Sequence, residues 1–340
     1  MIKNISLALL TLLPLSLPSL ALADGEVNVY SARKEQLIKP LFDKFTAQTG
    51  IAVNLVTGKD DALLERLRLE GDNTPADLLM TADAGRLYRA VEMGLTQPVE
   101  SEVLTKAIPA NLRDANNQWF GLTSRARPIF YVKGKVKPEE LSTYEDLTDP
   151  KWKSRICIRS SDNIYNQSML GSMMAVNGTE KAQAWANGLV KNFARPPEGG
   201  DRDQIKAAAA GQCDIAISNT YYYGQMLAGE NAEDKAAAEK VAIFWPNQAD
   251  RGTHINISGA TVTKTAKNKD NAVKLMEFLV NDESQQWYAE ANHEYPVKAG
   301  VTAGDMLQGW GEFKADSLNL SELGKHNAEA VKIMDKAGWK

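Results

Sequence analysis

The sequence predicts an α/β protein built from two lobes. Three observations carry this. β-rich segments alternate with amphipathic helical segments between residues 26 and 94, the alternation restarts after residue 155, and 340 residues give room for two lobes of ordinary domain size. Residues 26–30 alternate apolar and polar side chains and read as the first strand, with a turn at 31–33. A helix follows over 34–48, with Leu37, Leu41 and Phe45 on one face and Gly50 as its stop. Residues 51–56 form a second strand and 60–69 a helix whose start is capped by Asp60 and Asp61. A strand at 76–80 and a helix at 85–92 complete the first run. Such alternation predicts parallel strands, with ligands held where strand ends lead into helix N-termini.

The second run opens with a strand at 155–159 and polar capping residues at 160–163, then a helix from 164 to 177 closed by Gly178. Helices over 181–192 and 203–210 precede a buried strand at 214–218, after which Asn219 and Thr220 cap another helix. A strand at 241–245 follows, then strands at 255–257 and 261–263 on either side of a bend at Gly259 and Ala260. Helices at 271–280 and 283–290 and helical stretches near 320–323 and 327–337 end the chain.

Residues 1–23 read as an export signal. Lys3 supplies the positive start, 7–20 is apolar and uncharged, and Ala21, Leu22 and Ala23 fit a small-residue cleavage site. Pro14, Pro18 and the polar stretch from Asp24 argue against a membrane anchor, and no later segment reaches spanning length. The mature chain is expected to be soluble and outside the cytoplasm. Loss of Lys3 takes the formal charge from −4 to −5, which argues against nucleic acid as a partner, and no Lys/Arg run contradicts this. Cys157 and Cys213 can pair in an oxidising compartment or serve as small buried hydrophobes.

The chemistry centres on tyrosine. Tyr221, Tyr222 and Tyr223 follow a polar cap, and Tyr165 follows another, so Tyr165 and Tyr221 each open a helix after a strand. Helix N-termini stabilise negative charge, including a phenolate. A phenolate is a hard oxygen donor that suits a hard, highly charged cation such as Fe3+. Tyr221 and Tyr222 reach one ligand together only if the backbone turns at the cap, which leaves Tyr223 to pack elsewhere. Tyrosine runs also serve as aromatic packing with a polar tip. Arg33, in the first turn, and Arg125 and Arg127, either side of Ala126, are guanidinium forks suited to carbonate, phosphate or carboxylate. His254, His293 and His326 lack metal-type spacing, and neither a nucleophile elbow nor a phosphate loop is present. No base is visible beside the tyrosines, so a binding protein rather than an enzyme is expected.

Several segments together carry a resemblance: Val27-Asn-Val-Tyr-Ser-Ala-Arg33, Thr74-Pro-Ala-Asp77, Arg155-Ile-Cys-Ile-Arg-Ser-Ser161, Asn163-Ile-Tyr-Asn-Gln167, Asn219-Thr-Tyr-Tyr222 and Glu294-Tyr-Pro-Val297. Over nearly the whole chain after the leader, the sequence resembles the periplasmic ferric-iron-binding proteins of ABC transporters. The resemblance implies a type II periplasmic-binding fold, two α/β lobes joined by crossover strands that act as a hinge. It places lobe 1 at 24–124 and about 250–299, and lobe 2 at 125–249 and about 300–340. It implies that Tyr165, Tyr221 and Tyr222 bind Fe3+, and that Arg33 and Arg125 hold a synergistic anion, commonly carbonate. It further implies a monomeric receptor that delivers iron to an inner-membrane ABC permease with its ATPase. The same fold also serves non-metal solutes such as thiamine, a polyamine or an oxyanion. Relatives that use a first-lobe His, Tyr or Glu ligand carry it where this chain has Lys34, Glu35 and Ala82, so the resemblance is to the branch with three tyrosines and an anion.

Overall fold

The computed structural model describes residues 25–340. The expected leader, 1–23, lies outside the described residues. Among the described residues ten strands form two sheets. In chain order they are β1 (Glu26–Ser31), β2 (Ala52–Thr57), β3 (Leu78–Ala82), β4 (Phe120–Ala126), β5 (Ile129–Val132), β6 (Ile156–Cys157), β7 (Ile215–Ile217), β8 (Val241–Phe244), β9 (Ile255–Val262) and β10 (Tyr295–Pro296). The larger sheet runs β10-β4-β9-β3-β1-β2 and the smaller β6-β7-β5-β8. The chain leaves the first sheet between β4 and β5 and returns between β8 and β9, so two crossovers join the two halves of an α/β, two-lobe architecture.

The sheets are mixed rather than parallel throughout. β1 pairs in parallel with β2 and β3, and β6 with β7, as strand–helix alternation requires. β9 runs antiparallel between β3 and β4, and β5 runs antiparallel between β7 and β8. These antiparallel strands are the ones that flank the crossovers, where the chain changes sheet without an intervening helix.

β9 also corrects the two strands and bend expected at 255–263. It is one continuous, fully buried strand through Gly259 and Ala260. A Cβ on Gly259 would come 2.5 Å from the Phe120 carbonyl oxygen and 2.7 Å from Leu87 Cδ1. That glycine therefore permits close packing of β4 and a helix, not a bend. The first long helix starts later than expected, at Lys39–Thr49 after a single 3-10 turn at Glu35–Leu37. Pro40 sits in its first turn, where the missing N–H costs nothing, and marks the start.

Each sheet carries its own core. Val27, Leu78, Trp119, Phe120 and Leu275 belong to the first, and Trp152, Met169, Trp185 and Ile215 to the second. The C-terminal stretch serves both: Leu320 and Leu323 pack in the first, while Ile333, Met334 and Trp339 pack in the second.

Cys157 and Cys213 are bonded, with Cα atoms 5.9 Å apart and a sequence separation of 56. The bridge ties β6, which precedes the Tyr165 helix, to the residues just before β7, which precedes the Tyr221 helix. In the chain-entropy description a loop of this length stabilises by about 4 kcal/mol. Thiol titration of the denatured, unreduced protein is expected to find no free thiol, and reduction is expected to lower stability to chemical denaturation by about that amount.

Candidate functional site

The carboxyl ends of β6 and β7 lead into two helices whose N-termini meet between the sheets. Tyr165 is the second residue of helix Ile164–Asn177, and Tyr221 and Tyr222 are the second and third of helix Thr220–Ala228. The Tyr221 hydroxyl donates to that of Tyr165 at 3.3 Å, and the rings of Tyr221 and Tyr222 stack 4.2 Å apart at a 36° tilt. Tyr223 turns away into the core against Phe130 and Trp310. All three site tyrosines sit in first helical turns, where unpaired N–H groups and the helix dipole favour negative charge.

The expected side-chain caps do not form, and Asn163 Oδ1 has no partner. Neither Asn163 nor Asn219 caps its helix with its side chain. Asn219 accepts from Arg127 Nη1 at 2.8 Å, and its N–H donates to Asp201 Oδ1 at 3.0 Å. Arg127 also donates to Asp201 Oδ1 at 2.8 Å and to Asn166 Oδ1 at 2.6 Å, while Arg159 donates to Asp201 Oδ2 at 2.6 Å. Asp201 is fully buried at the centre of this network. Burial pushes its carboxyl up, but Arg127 and Arg159 override that and hold it below the ordinary carboxylate range. Arg127 is thus a brace that fixes both tyrosine-bearing helix starts, not part of the cavity wall.

The tyrosines open into a cavity of about 190 Å³. Arg33, Arg125, Lys34, Asp60, Arg202 and Glu294 are among its lining residues. The volume lies well below the roughly 300–1,000 Å³ of pockets that hold drug-sized ligands. Arg125 is 1 % exposed, and its Nε and Nη1 atoms have no hydrogen-bond partner. Its guanidinium lies 5.6 Å from the Tyr221 ring and 5.9 Å from that of Tyr165. A buried fork with open donors beside phenols is suited to an anion. Arg33 is already engaged: it donates to Glu294 at 2.6 and 3.2 Å and to Ser258 at 2.7 Å. Burial and the neighbouring Tyr165 and Tyr222 hold the Tyr221 hydroxyl well above its ordinary pKa, with Arg125 opposing them. Tyr222 is raised too, first by burial and then by Tyr165. Only a strong Lewis acid turns such phenols into ligands at neutral pH. Among the described residues no group of three His, Cys, Asp or Glu side chains is placed to hold a metal.

The model of bacterial extracellular solute-binding proteins matches residues 40–315. The chain is 53% identical over 93% of its length to iron uptake protein A1 of Synechocystis, covering 88% of that protein. The chain belongs to the bacterial extracellular solute-binding proteins. Its fold superposes on a Trichodesmium protein (IdiA, FutA) solved in complex with iron and citrate, at TM-score 0.91 and 53% identity, covering 93% of this chain and all of that one. A ferric-binding protein from Campylobacter jejuni matches at TM-score 0.88 and 40% identity, covering 92% of this chain and all of that one.

In this solute-binding protein the structure brings Tyr165, Tyr221, Tyr222, Arg33 and Arg125 to one cavity. Lys34 and Ala82 also line it, and Ala82 offers no side-chain donor. Asp60 does not cap its helix as expected. The N-cap is Lys59, and Asp60 Oδ1 instead accepts from the Ala82 N–H at 3.0 Å while lining the cavity. Glu294, Ser258 and Arg202 escaped the sequence reading as site residues. Glu294 lies in a segment that carried the family resemblance, and that was the one usable signal. Arg202 reaches the site because its helix, Asp201–Ala209, starts beside the tyrosines, with its guanidinium 5.5 Å from the Tyr222 ring and 2.5 Å from Gln225 Oε1.

Proposed function

We propose that the protein is a periplasmic receptor that captures ferric iron through the phenolates of Tyr165, Tyr221 and Tyr222, with a synergistic anion such as carbonate at Arg125, whose donors are open, in the wall it shares with Arg33. The observation that carries this reading is the convergence of three tyrosines at two helix N-termini beside a buried, unpartnered guanidinium. Three phenolates balance Fe3+, and an anion fills the remaining positions. The lobes follow the two sheets and close about the crossovers, and the loaded monomer delivers iron to an inner-membrane ABC permease and its ATPase. It is a binding protein, not an enzyme. The names of its relatives support the cargo, and the small cavity favours an ion over a solute the size of thiamine.

Aerobic titration with ferric iron is expected to develop a visible phenolate-to-iron charge-transfer band that saturates at one metal per chain. A protein that stays colourless with iron in excess overturns the reading. Ligand phenolates form by losing protons, so acid competes with the metal. With three such ligands, affinity is expected to fall by up to about a thousandfold per pH unit, and loading in weak buffer should release up to about three protons, read by pH-stat. Iron retained unchanged at low pH contradicts a phenolate site.

A further inference from the structure

Three arginines line the cavity; Arg202 is held by Gln225, and the two buried ones, Arg33 and Arg125, differ in how far their donors are spent. Arg33 is 8 % exposed and already holds a carboxylate: its Nη2 donates to Glu294 Oε2 at 2.6 Å and its Nη1 to Glu294 Oε1 at 3.2 Å and Ser258 at 2.7 Å. Arg125 is 1 % exposed, and its Nε and Nη1 atoms are without partners. Glu294 itself is 3 % exposed. Burial pushes its carboxyl up, but Arg33 overrides this and keeps it ionised. Arg33 and Glu294 thus form a neutral pair in the cavity wall, with its two-point geometry spent internally.

We propose that Glu294 is a specificity-determining residue that occupies Arg33 as a built-in carboxylate, so that Arg125 alone takes the exogenous anion and a small oxyanion is accepted in preference to a tricarboxylate. This rests on the functional reading above and goes beyond it. A small oxyanion needs one fork, and Arg125 supplies it. A larger, more highly charged anion such as citrate must spread over the wall. There it meets the fixed negative charge of Glu294, an Arg33 with only its Nε unpartnered, and an Arg202 that donates to Gln225. Specificity of this kind works by repulsion as much as by attraction. Like charges forced together in a dry cavity are far more costly than in water.

The test begins on the metal-free protein, so that it does not depend on iron binding. Calorimetric titration with inorganic phosphate and with citrate is compared for the wild-type protein and three variants. The wild-type protein is expected to bind phosphate at least tenfold more tightly than citrate. Glu294→Gln keeps the shape and one acceptor for Arg33 but removes the charge. It is expected to tighten citrate at least tenfold while moving phosphate less than threefold. Removing Arg33 alone would strand a buried carboxylate, so the pair is replaced together. Arg33→Met with Glu294→Met removes both charges at once, a change that buried ion pairs tolerate. It is expected to leave phosphate binding within threefold of wild type. Arg125→Met is expected to weaken both anions at least tenfold.

The proposal is overturned if Glu294→Gln leaves citrate binding unchanged. It is also overturned if the Arg33/Glu294 double variant loses phosphate as severely as Arg125→Met, or if the wild-type protein binds neither anion. The charge-transfer band on iron titration is recorded in parallel. A normal band with unchanged anion selectivity in Glu294→Gln sinks this inference alone, whereas the absence of a band sinks the iron reading and leaves the anion result to be judged by itself.

Discussion

Replacing Tyr165, Tyr221 and Tyr222 together with phenylalanine is expected to abolish ferric-iron binding and its colour while the protein stays folded. Each ring is retained, and the rings do the packing. What is lost is three oxygens in partly buried first-turn positions, two of which share only a 3.3 Å hydrogen bond. At Tyr221 and Tyr222 burial disfavours the ionised hydroxyl, so removing it costs the metal-free fold little. Losing even one phenolate should weaken iron by more than the roughly 10–100-fold that loss of an outer-shell partner costs at metal sites. Tyr223→Phe is the internal control. Its ring packs on Phe130 and Trp310 and its hydroxyl makes only a 3.4 Å contact to the Val241 carbonyl, so iron affinity should be unchanged. Competition against a chelator, with circular dichroism on each variant, decides the matter. A triple variant that remains coloured and binds iron places the site elsewhere.

The second large effect belongs to Asp201, which touches no ligand. Asp201→Ala leaves Arg127 buried and without its charge partner, at an expected cost of about 3–5 kcal/mol in chemical denaturation. Iron affinity should fall as well, by about 10–100-fold, because Arg127 and Asp201 together fix Asn166 and Asn219 beside the tyrosines. The acid limb follows from the same charges. The folded-state pKa of Asp201 lies below its ordinary value, so its contribution is present above the unfolded carboxyl pKa near 4 and is lost as pH falls through the folded value. Glu294, held down by Arg33 against burial, adds in the same direction. Wild-type stability should therefore drop below about pH 4, and Asp201→Asn should flatten part of that drop. An Asp201→Ala protein as stable and as tight for iron as the wild type contradicts the bracing role.

The local code was strong where short-range physics decides. Helix 164–177 was read from its period and its Gly178 stop, and the structure has Ile164–Asn177. The strands β1 to β3 and β6 to β8 fell within a few residues of their expected places, because alternation and the punctuation of glycine and proline are local properties of the chain. The tyrosines were legible for the same reason: a strand, a polar residue and a helix start follow one another in sequence. The leader, the charge and the family resemblance likewise needed no coordinates. What the sequence could not decide is whatever depends on partners far away along it. β9 runs antiparallel between β3 and β4 because the chain returns from the other sheet, and nothing in residues 255–262 records that. Asn219 looked like a cap, but Arg127 and Asp201, 92 and 18 residues away, claim it. Asp60 read as a helix cap and Glu294 as part of a family motif until folding set the first on the cavity wall and paired the second, buried, with Arg33, 261 residues distant. Arg33 and Arg125 are alike as residues. Only the tertiary structure leaves Nε and Nη1 of Arg125 open while it spends both Nη atoms of Arg33 on Glu294 and Ser258, because hydrogen-bond satisfaction inside a protein is settled by which distant groups are buried together.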